Sequence, residues 1–195
     1  LFLAGYMVRV LGKELFGVAM FVLSFTMVTE ILGWGVCLGL TKHLAADIEK
    51  KDFTNFNGLV NTGLFWLLCC SIIGASVCVT LALFIESITN APPEYISQAR
   101  YAMLLMGLRV LICFPLNTFQ GVLWAYQRYD LTNIARSIGI VLRAILVVVW
   151  FEFISVGLVE FMCIVIFSTL VERTMWLLSS YKMTTEMKFG FQYIT

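Results

Sequence analysis

The sequence predicts an all-α fold, a polytopic bundle of about six transmembrane helices. Hydrophobic residues make up 61% of the chain and charged residues only 13%, whereas a soluble domain is about half apolar and about a quarter charged. The mean hydropathy is +0.92. Residues 58–85 contain no charged side chain, and this run is long enough to cross a bilayer as a helix. We therefore expect an integral membrane protein with a single transmembrane domain over residues 1–195.

The first half of the chain contains three apolar runs. Residues 1–10 are too few to span a bilayer, which requires about twenty residues, so we expect a chain fragment that begins inside its first helix. The second span is predicted at residues 15–40, followed by a polar loop at 47–57. The third span covers residues 58–85, and the turn formers and double proline of residues 86–98 end it.

The second half of the chain contains three further runs. The fourth span is predicted at residues 101–126, and Pro115 should kink it because proline removes a backbone donor. A turn at residues 127–133 leads into a fifth span at 134–151, and a sixth follows at 153–178. Orientation and site predictions depend on the few charges that interrupt these runs.

Composition also excludes several functions. A net charge of +1 without a clustered basic face argues against nucleic-acid binding. The six cysteines form no CxxC pair and the chain has one histidine, so we expect packing roles for the cysteines and neither a metal site nor a disulfide framework. No large polar loop carries paired acids or another catalytic grouping, so we expect no catalytic residue, no cofactor and no enzyme activity.

Two arginines, Arg109 and Arg143, lie inside predicted spans, where an ionisable residue is by default a candidate functional residue. Helical spacing places Asn117 and Gln120 on the same face as Arg109. In the fifth span, Arg136 shares a face with Arg143. Two such polar stripes predict a hydrated cavity of positive potential that binds an anion, because the guanidinium fork pairs well with phosphate.

One acid, Glu30, lies in the middle of the second span and leaves two interpretations open. It could pair with Arg109 as a structural bridge, which would remove the arginine from the cavity. It could instead be a coupling-ion site, because burial favours its protonated form and a nearby arginine its carboxylate. The glycines that follow it should let helices approach closely, and they are Gly33, Gly35 and Gly39.

Two motifs resemble one transporter family. Residues 9–17 resemble the R-x-L-G-x-E-x-(Y/F)-G turn between the first two helices of Wzx-type polysaccharide flippases, in the multidrug/oligosaccharidyl-lipid/polysaccharide exporter superfamily. Residues 119–130 are similar to that family's F-x-G-x-L-x-A-x-(Q/K)-R-(F/Y)-D segment. The resemblance covers essentially the whole chain.

The resemblance implies the N-terminal lobe of a transporter of the inner cell membrane that flips polyprenyl-pyrophosphate-linked oligosaccharide by alternating access. Its partners would be that glycan, the lipid bilayer and a coupling ion, H⁺ or Na⁺. The resemblance places Arg9 at the outer end of the first helix, facing the cavity with Arg109 and Arg143. Two alternatives stay open: a cation-coupled multidrug exporter of the same superfamily, and a membrane-embedded glycan-assembly enzyme.

Loop charge predicts the orientation of the spans. Lys50 and Lys51 follow the second span, whereas Glu86 and Glu94 follow the third, and short cytoplasmic loops carry the excess of basic residues. A cysteine introduced at Ser87 should react with an impermeant thiol reagent on intact cells, and one at position 51 should react only after permeabilisation. Labelling in the reverse order would contradict this topology.

Overall fold

The computed structural model describes residues 2–88 and 93–184, and these residues form helices and no strand. In chain order the helices are α1 (Phe2–Leu11), α2 (Lys13–Lys50), α3 (Phe53–Leu83), α4 (Ile85–Ile88), α5 (Pro93–Cys113), α6 (Asn117–Ala125), α7 (Tyr129–Phe153) and α8 (Leu158–Met183). The predicted all-α class is confirmed.

The number of membrane spans is only approximately as predicted. Within the described residues, four helical stretches are long and apolar enough to cross a bilayer: Phe53–Leu83, Pro93–Ala125, Tyr129–Phe153 and Leu158–Met183. Large apolar side chains such as Ile73 on α3 and Ile145 on α7 are exposed on the outside of the bundle. Helices satisfy their own backbone hydrogen bonds, so such a surface is stable against lipid.

Helix α2 is longer than the hydropathy pattern suggests, and the polar loop predicted at residues 47–57 is wrong. The helix continues to Lys50, and only two residues separate it from α3. Lys51 adopts a left-handed conformation (φ 56°) and its N–H donates to the carbonyl of Asp47, which closes the helix. The side chain of Asp52 then accepts from the backbone N–H of Asn55 and caps α3.

The fourth span is interrupted at Pro115, as predicted, and the predicted kink is a break between two helices. Helix α5 ends at Cys113 and α6 begins at Asn117, with a tight turn between them. In this turn the N–H of Asn117 donates to the carbonyl of Phe114 and the N–H of Thr118 to that of Pro115, both at 3.1 Å. The two helices therefore do not share one continuous helical phase.

The last two long helices differ from the predicted spans at their ends. Helix α7 already begins at Tyr129, after a short turn in which Gln127 has φ 58°, so the predicted turn at 127–133 is too long. Helix α8 begins at Leu158, later than the hydropathy pattern predicts, because Gly157 is still in an extended conformation (φ −165°).

Apolar side chains form two main clusters with a polar layer between them. The first apolar cluster contains residues such as Met103 on α5, Val147 on α7 and Phe161 on α8. The second apolar cluster contains residues such as Leu44 on α2, Phe56 on α3, Phe119 on α6 and Trp176 on α8. Helices α2, α3, α7 and α8 contribute to both clusters, whereas α5 contributes to the first and α6 to the second.

The glycines of α2 pack differently from the prediction. A Cβ added at Gly33 would lie 2.9 Å from Nδ2 of Asn117 and 3.1 Å from the ring of Phe114, so α6 and its preceding turn approach α2 closely there. A Cβ added at Gly35 or Gly39 would meet no described atom within 4 Å, so the packing prediction is wrong at these two positions.

A glycine on α5 allows the close contact with α3. A Cβ at Gly107 would lie 3.2 Å from Cβ of Cys78 and 3.5 Å from the carbonyl oxygen of Ala75. We expect Gly107→Val to force these helices apart and lower the free energy of unfolding by about 1–3 kcal/mol. Gly35→Val is the matched control, since that helical glycine has open space around it.

Thermal unfolding of the purified variants, followed by size-exclusion chromatography after heating, measures the difference. Equal midpoints for Gly107→Val and Gly35→Val would contradict the close-approach role of Gly107.

Candidate functional site

Most of the polar layer consists of side chains with little exposure to solvent. Arg109 is 6% exposed and Glu172 is 8% exposed. Polar groups at this depth are costly unless they are hydrogen-bonded or paired. The layer contains Arg109 on α5, Asn117 and Gln120 on α6, Arg136 and Arg143 on α7, and Ser168, Thr169, Glu172 and Arg173 on α8.

The hydroxyl groups of α8 connect two arginines from different helices. Nε of Arg109 and Nη2 of Arg143 both donate to Oγ1 of Thr169, each at 3.3 Å. Nε of Arg143 also donates to Oγ of Ser168 at 3.0 Å. Both hydroxyls donate in turn to the carbonyl of Val165, at 2.8 Å from Thr169 and 3.0 Å from Ser168. A hydroxyl has one proton and two lone pairs, so Thr169 uses all of its hydrogen-bonding capacity here.

One carboxylate lies between two further arginines. Oε1 of Glu172 is 3.5 Å from Nη1 of Arg173 and 3.9 Å from Nε of Arg136. The guanidinium of Arg173 also lies 4.0 Å from the ring centroid of Trp176, a cation–π contact that fixes its position.

The five charged side chains of the polar layer line a cavity of about 380 Å³ between α2, α5, α7 and α8. Its described lining contains four guanidinium groups and one carboxylate, so its potential is positive. The polar lining residues are Arg109, Arg136, Arg143, Glu172 and Arg173, and the apolar ones are Leu23, Met27, Trp34, Ile140 and Val165. No group of three or more His, Cys, Asp or Glu within the described part of the chain could hold a metal ion.

The structure brings together two of the predicted site residues. Arg109 and Arg143 both line the cavity. Arg9 is exposed on α1 and is not among the lining residues. Asn117 and Gln120 are buried on α6 but do not line the cavity either, because the break at Pro115 resets the helical phase on which their predicted stripe depended.

The two amides instead lie in the packed interior. The carbonyl of Asn117 accepts from Sγ of Cys37 on α2 at 3.1 Å. Oδ1 of Asn117 and Nε2 of Gln120 have no hydrogen-bond partner among the described residues. An unsatisfied buried amide costs about 1–3 kcal/mol.

The side chain of Glu30 lies outside what the structure describes, although its backbone belongs to α2. Whether it pairs with Arg109 or binds a coupling ion therefore stays a prediction.

Sequence analysis missed the polar face of α8. Ser168, Thr169, Glu172 and Arg173 share one helix face because they are spaced one, four and five residues apart from Ser168. The sequence contains the feature that could have identified this face, since Glu172 and Arg173 are charged residues within a predicted span. Arg136, which the sequence places on the same face as Arg143, lies inside α7 and lines the cavity.

One comparison with known proteins gives a match. A family model described as MatE matches residues 1–149, which extends from α1 into α7. No curated protein and no solved structure matches the chain. The match agrees with the superfamily that the sequence resemblance implies. It does not distinguish the flippase subtype from other members of that superfamily.

The double acceptor role of Thr169 gives a stability prediction. Thr169→Val keeps the side-chain volume but removes the oxygen that accepts from Arg109 and Arg143. We expect the free energy of unfolding to fall by about 1–3 kcal/mol, because the buried Arg109 and the partly buried Arg143 each lose an acceptor. The matched control is Thr174→Val, an exposed threonine on the same helix. Denaturation in detergent measures both, and equal stability of the two variants would contradict the role of Thr169.

Proposed function

This chain belongs to the MatE family of multi-pass membrane transporters, and we propose that it flips polyprenyl-pyrophosphate-linked oligosaccharide across the cytoplasmic membrane. The observation that carries the proposal is the positive cavity between α2, α5, α7 and α8, with four arginines in its lining. A pyrophosphate group is the part of such a substrate that this cavity would bind.

The chemistry of the lining supports a phosphate-containing substrate. Guanidinium groups donate two parallel hydrogen bonds to phosphate oxygens, and these charge-assisted bonds are stronger than neutral ones. Ser168 and Thr169 fix the orientation of Arg109 and Arg143 by accepting from them. A preoriented pair of guanidiniums loses less conformational entropy when it binds an anion.

The lipid part of the substrate suits the outer surface of the bundle. Exposed apolar side chains on α3 and α7 face outward from the polar layer. A polyprenyl chain could therefore stay in the hydrocarbon phase while its pyrophosphate enters the cavity. Alternating access would then move the polar head across the membrane without exposing it to lipid.

The remaining predicted residues complete the proposal. Glu30 is the candidate for coupling to H⁺ or Na⁺, by its position in the middle of α2. Three further residues stay predicted contacts of a larger substrate, and they are Arg9, Asn117 and Gln120. They lie outside the described cavity lining.

A cation-coupled multidrug exporter is the alternative, because membership of the MatE family is compatible with it. A cationic drug would be attracted by carboxylates, whereas the described lining has four guanidiniums and one carboxylate. The charge of the cavity therefore favours the anionic substrate.

The test compares arginines inside and outside the cavity. Arg109→Ala and Arg143→Ala should each reduce export of lipid-linked glycan by about tenfold or more, because each removes a charge-assisted hydrogen bond worth about 1.5–3 kcal/mol. Accumulation of lipid-linked glycan in cells measures the defect. Arg128→Ala is the matched control, since Arg128 is exposed and paired with Asp130 in the α6–α7 turn.

Variants with lysine at positions 109 and 143 keep the charge but lose the planar fork, so an intermediate defect is expected. Membrane levels of every variant are compared by immunoblot. Normal glycan export in both alanine variants would refute the proposal, and lost drug resistance with intact glycan export would favour the multidrug exporter.

A further inference from the structure

Glu172 is the one carboxylate among the described residues that line the cavity, and the proposed function gives it no role. We infer that Glu172 is the internal counter-anion of the cavity: it holds Arg136 and Arg173 until a phosphate group of the substrate takes them from it. The inference rests on the proposed function, since it assumes an anionic substrate in the same cavity.

The cavity requires a counter-anion when no substrate is bound. Guanidinium groups stay charged at every physiological pH, so the arginines cannot lower their mutual repulsion by losing a proton. Repulsion between like charges is stronger in a poorly solvated interior than in water. Glu172 lies between Arg136 and Arg173 and offsets part of this positive charge.

The geometry of Glu172 suits an ion pair that can be exchanged. Its oxygen lies 3.5 Å from Nη1 of Arg173 and 3.9 Å from Nε of Arg136. Charge-assisted hydrogen bonds of good geometry are about 2.7–2.9 Å long. The pairs of Glu172 are therefore loose, although its side chain is only 10% exposed.

Two ion pairs elsewhere in the same chain show the contrast. Arg128 donates to both carboxylate oxygens of Asp130 at 2.9 and 3.0 Å, and Arg100 donates to Glu86 at 2.9 Å. These exposed pairs are short, whereas both pairs of the buried Glu172 are long. A phosphate group that enters the cavity can offer closer oxygens than Glu172 does.

The surroundings of Glu172 keep the two arginines available after the exchange. The ring of Trp176 lies 4.0 Å below the guanidinium of Arg173, so Arg173 keeps one contact when the carboxylate is replaced. The side chain of Arg136 is 41% exposed and can turn toward a ligand. Glu172 itself is packed against α7, where a Cβ at Gly139 would lie 3.4 Å from its Oε2.

Competition by Glu172 would make the cavity selective. A monovalent anion gains too little from the arginines to replace a carboxylate that is already there. A pyrophosphate carries more charge and more acceptor oxygens, so it can. Glu172 is in this sense a specificity-determining residue.

The test measures binding of inorganic pyrophosphate to the purified protein by isothermal titration calorimetry. Glu172→Gln removes the competing charge and should lower the Kd for pyrophosphate by about tenfold, corresponding to part of the attraction between charges about 4 Å apart. It should also let inorganic phosphate bind detectably. Glu160→Gln is the matched control, because Glu160 lies on the same helix but does not line the cavity.

Different results separate the inference from the proposed function. If Arg109→Ala and Arg143→Ala abolish pyrophosphate binding while Glu172→Gln leaves the Kd unchanged, the role of Glu172 is wrong and the proposed function stands. If neither the unsubstituted protein nor Glu172→Gln binds pyrophosphate, the proposed function and this inference both fail.

A second measurement does not depend on the folding of Glu172→Gln. In a Trp34→Phe background, which removes the tryptophan that itself lines the cavity, saturating pyrophosphate should change the tryptophan emission, because Arg173 shifts over Trp176 when it leaves Glu172. Trp176→Phe should lose that change. An emission that stays constant while calorimetry shows binding would overturn the inference.

Discussion

The presence of four arginine side chains in the middle of an apolar helix bundle is the constraint on which the rest of the structure depends. Such charges are stable only where oxygen atoms are held close to them. Helix α8 supplies those oxygens from the hydroxyls of Ser168 and Thr169 and the carboxylate of Glu172. Its packing against α5 and α7 is therefore an electrostatic requirement as well as a steric one.

The two apolar clusters hold this polar layer in place from both sides. The break at Pro115 divides their contacts, since α5 contributes Met103 to the first apolar cluster and α6 contributes Phe119 to the second. Arg109 lies near the end of α5, just before the break. Its position is thus determined by the first cluster and by Thr169, independently of the direction that α6 takes.

The sequence was sufficient for the fold class and for part of the site. Composition and charge-free runs predict the membrane helices, and lone charges in apolar segments identify Arg109 and Arg143. The predicted positions of Asn117 and Gln120 relative to the cavity depended on an unbroken helical phase, which Pro115 interrupts. The extension of α2 to Lys50 was missed because lysine and glutamate are as compatible with a helix as with a loop.

Contacts between helices could not be predicted from one sequence. A threonine inside an apolar run looks like any other small helix residue, and only the packing of α5, α7 and α8 shows that Thr169 accepts from two arginines. The same holds for Gly107, whose role depends on the backbone of α3 opposite it.

The cavity is divided between two parts of the chain. The MatE match ends at residue 149, whereas the hydroxyls and the carboxylate of the cavity lie on α8, beyond residue 157. The arginines of α5 and α7 belong to the matched part and the groups that orient them do not. Under the proposed function, substitutions in α8 alone would change how these arginines are presented to a substrate, while the matched residues 1–149 stay unchanged. Two chains with the same residues in α5 and α7 would then differ in the substrate that they bind if their α8 helices differ.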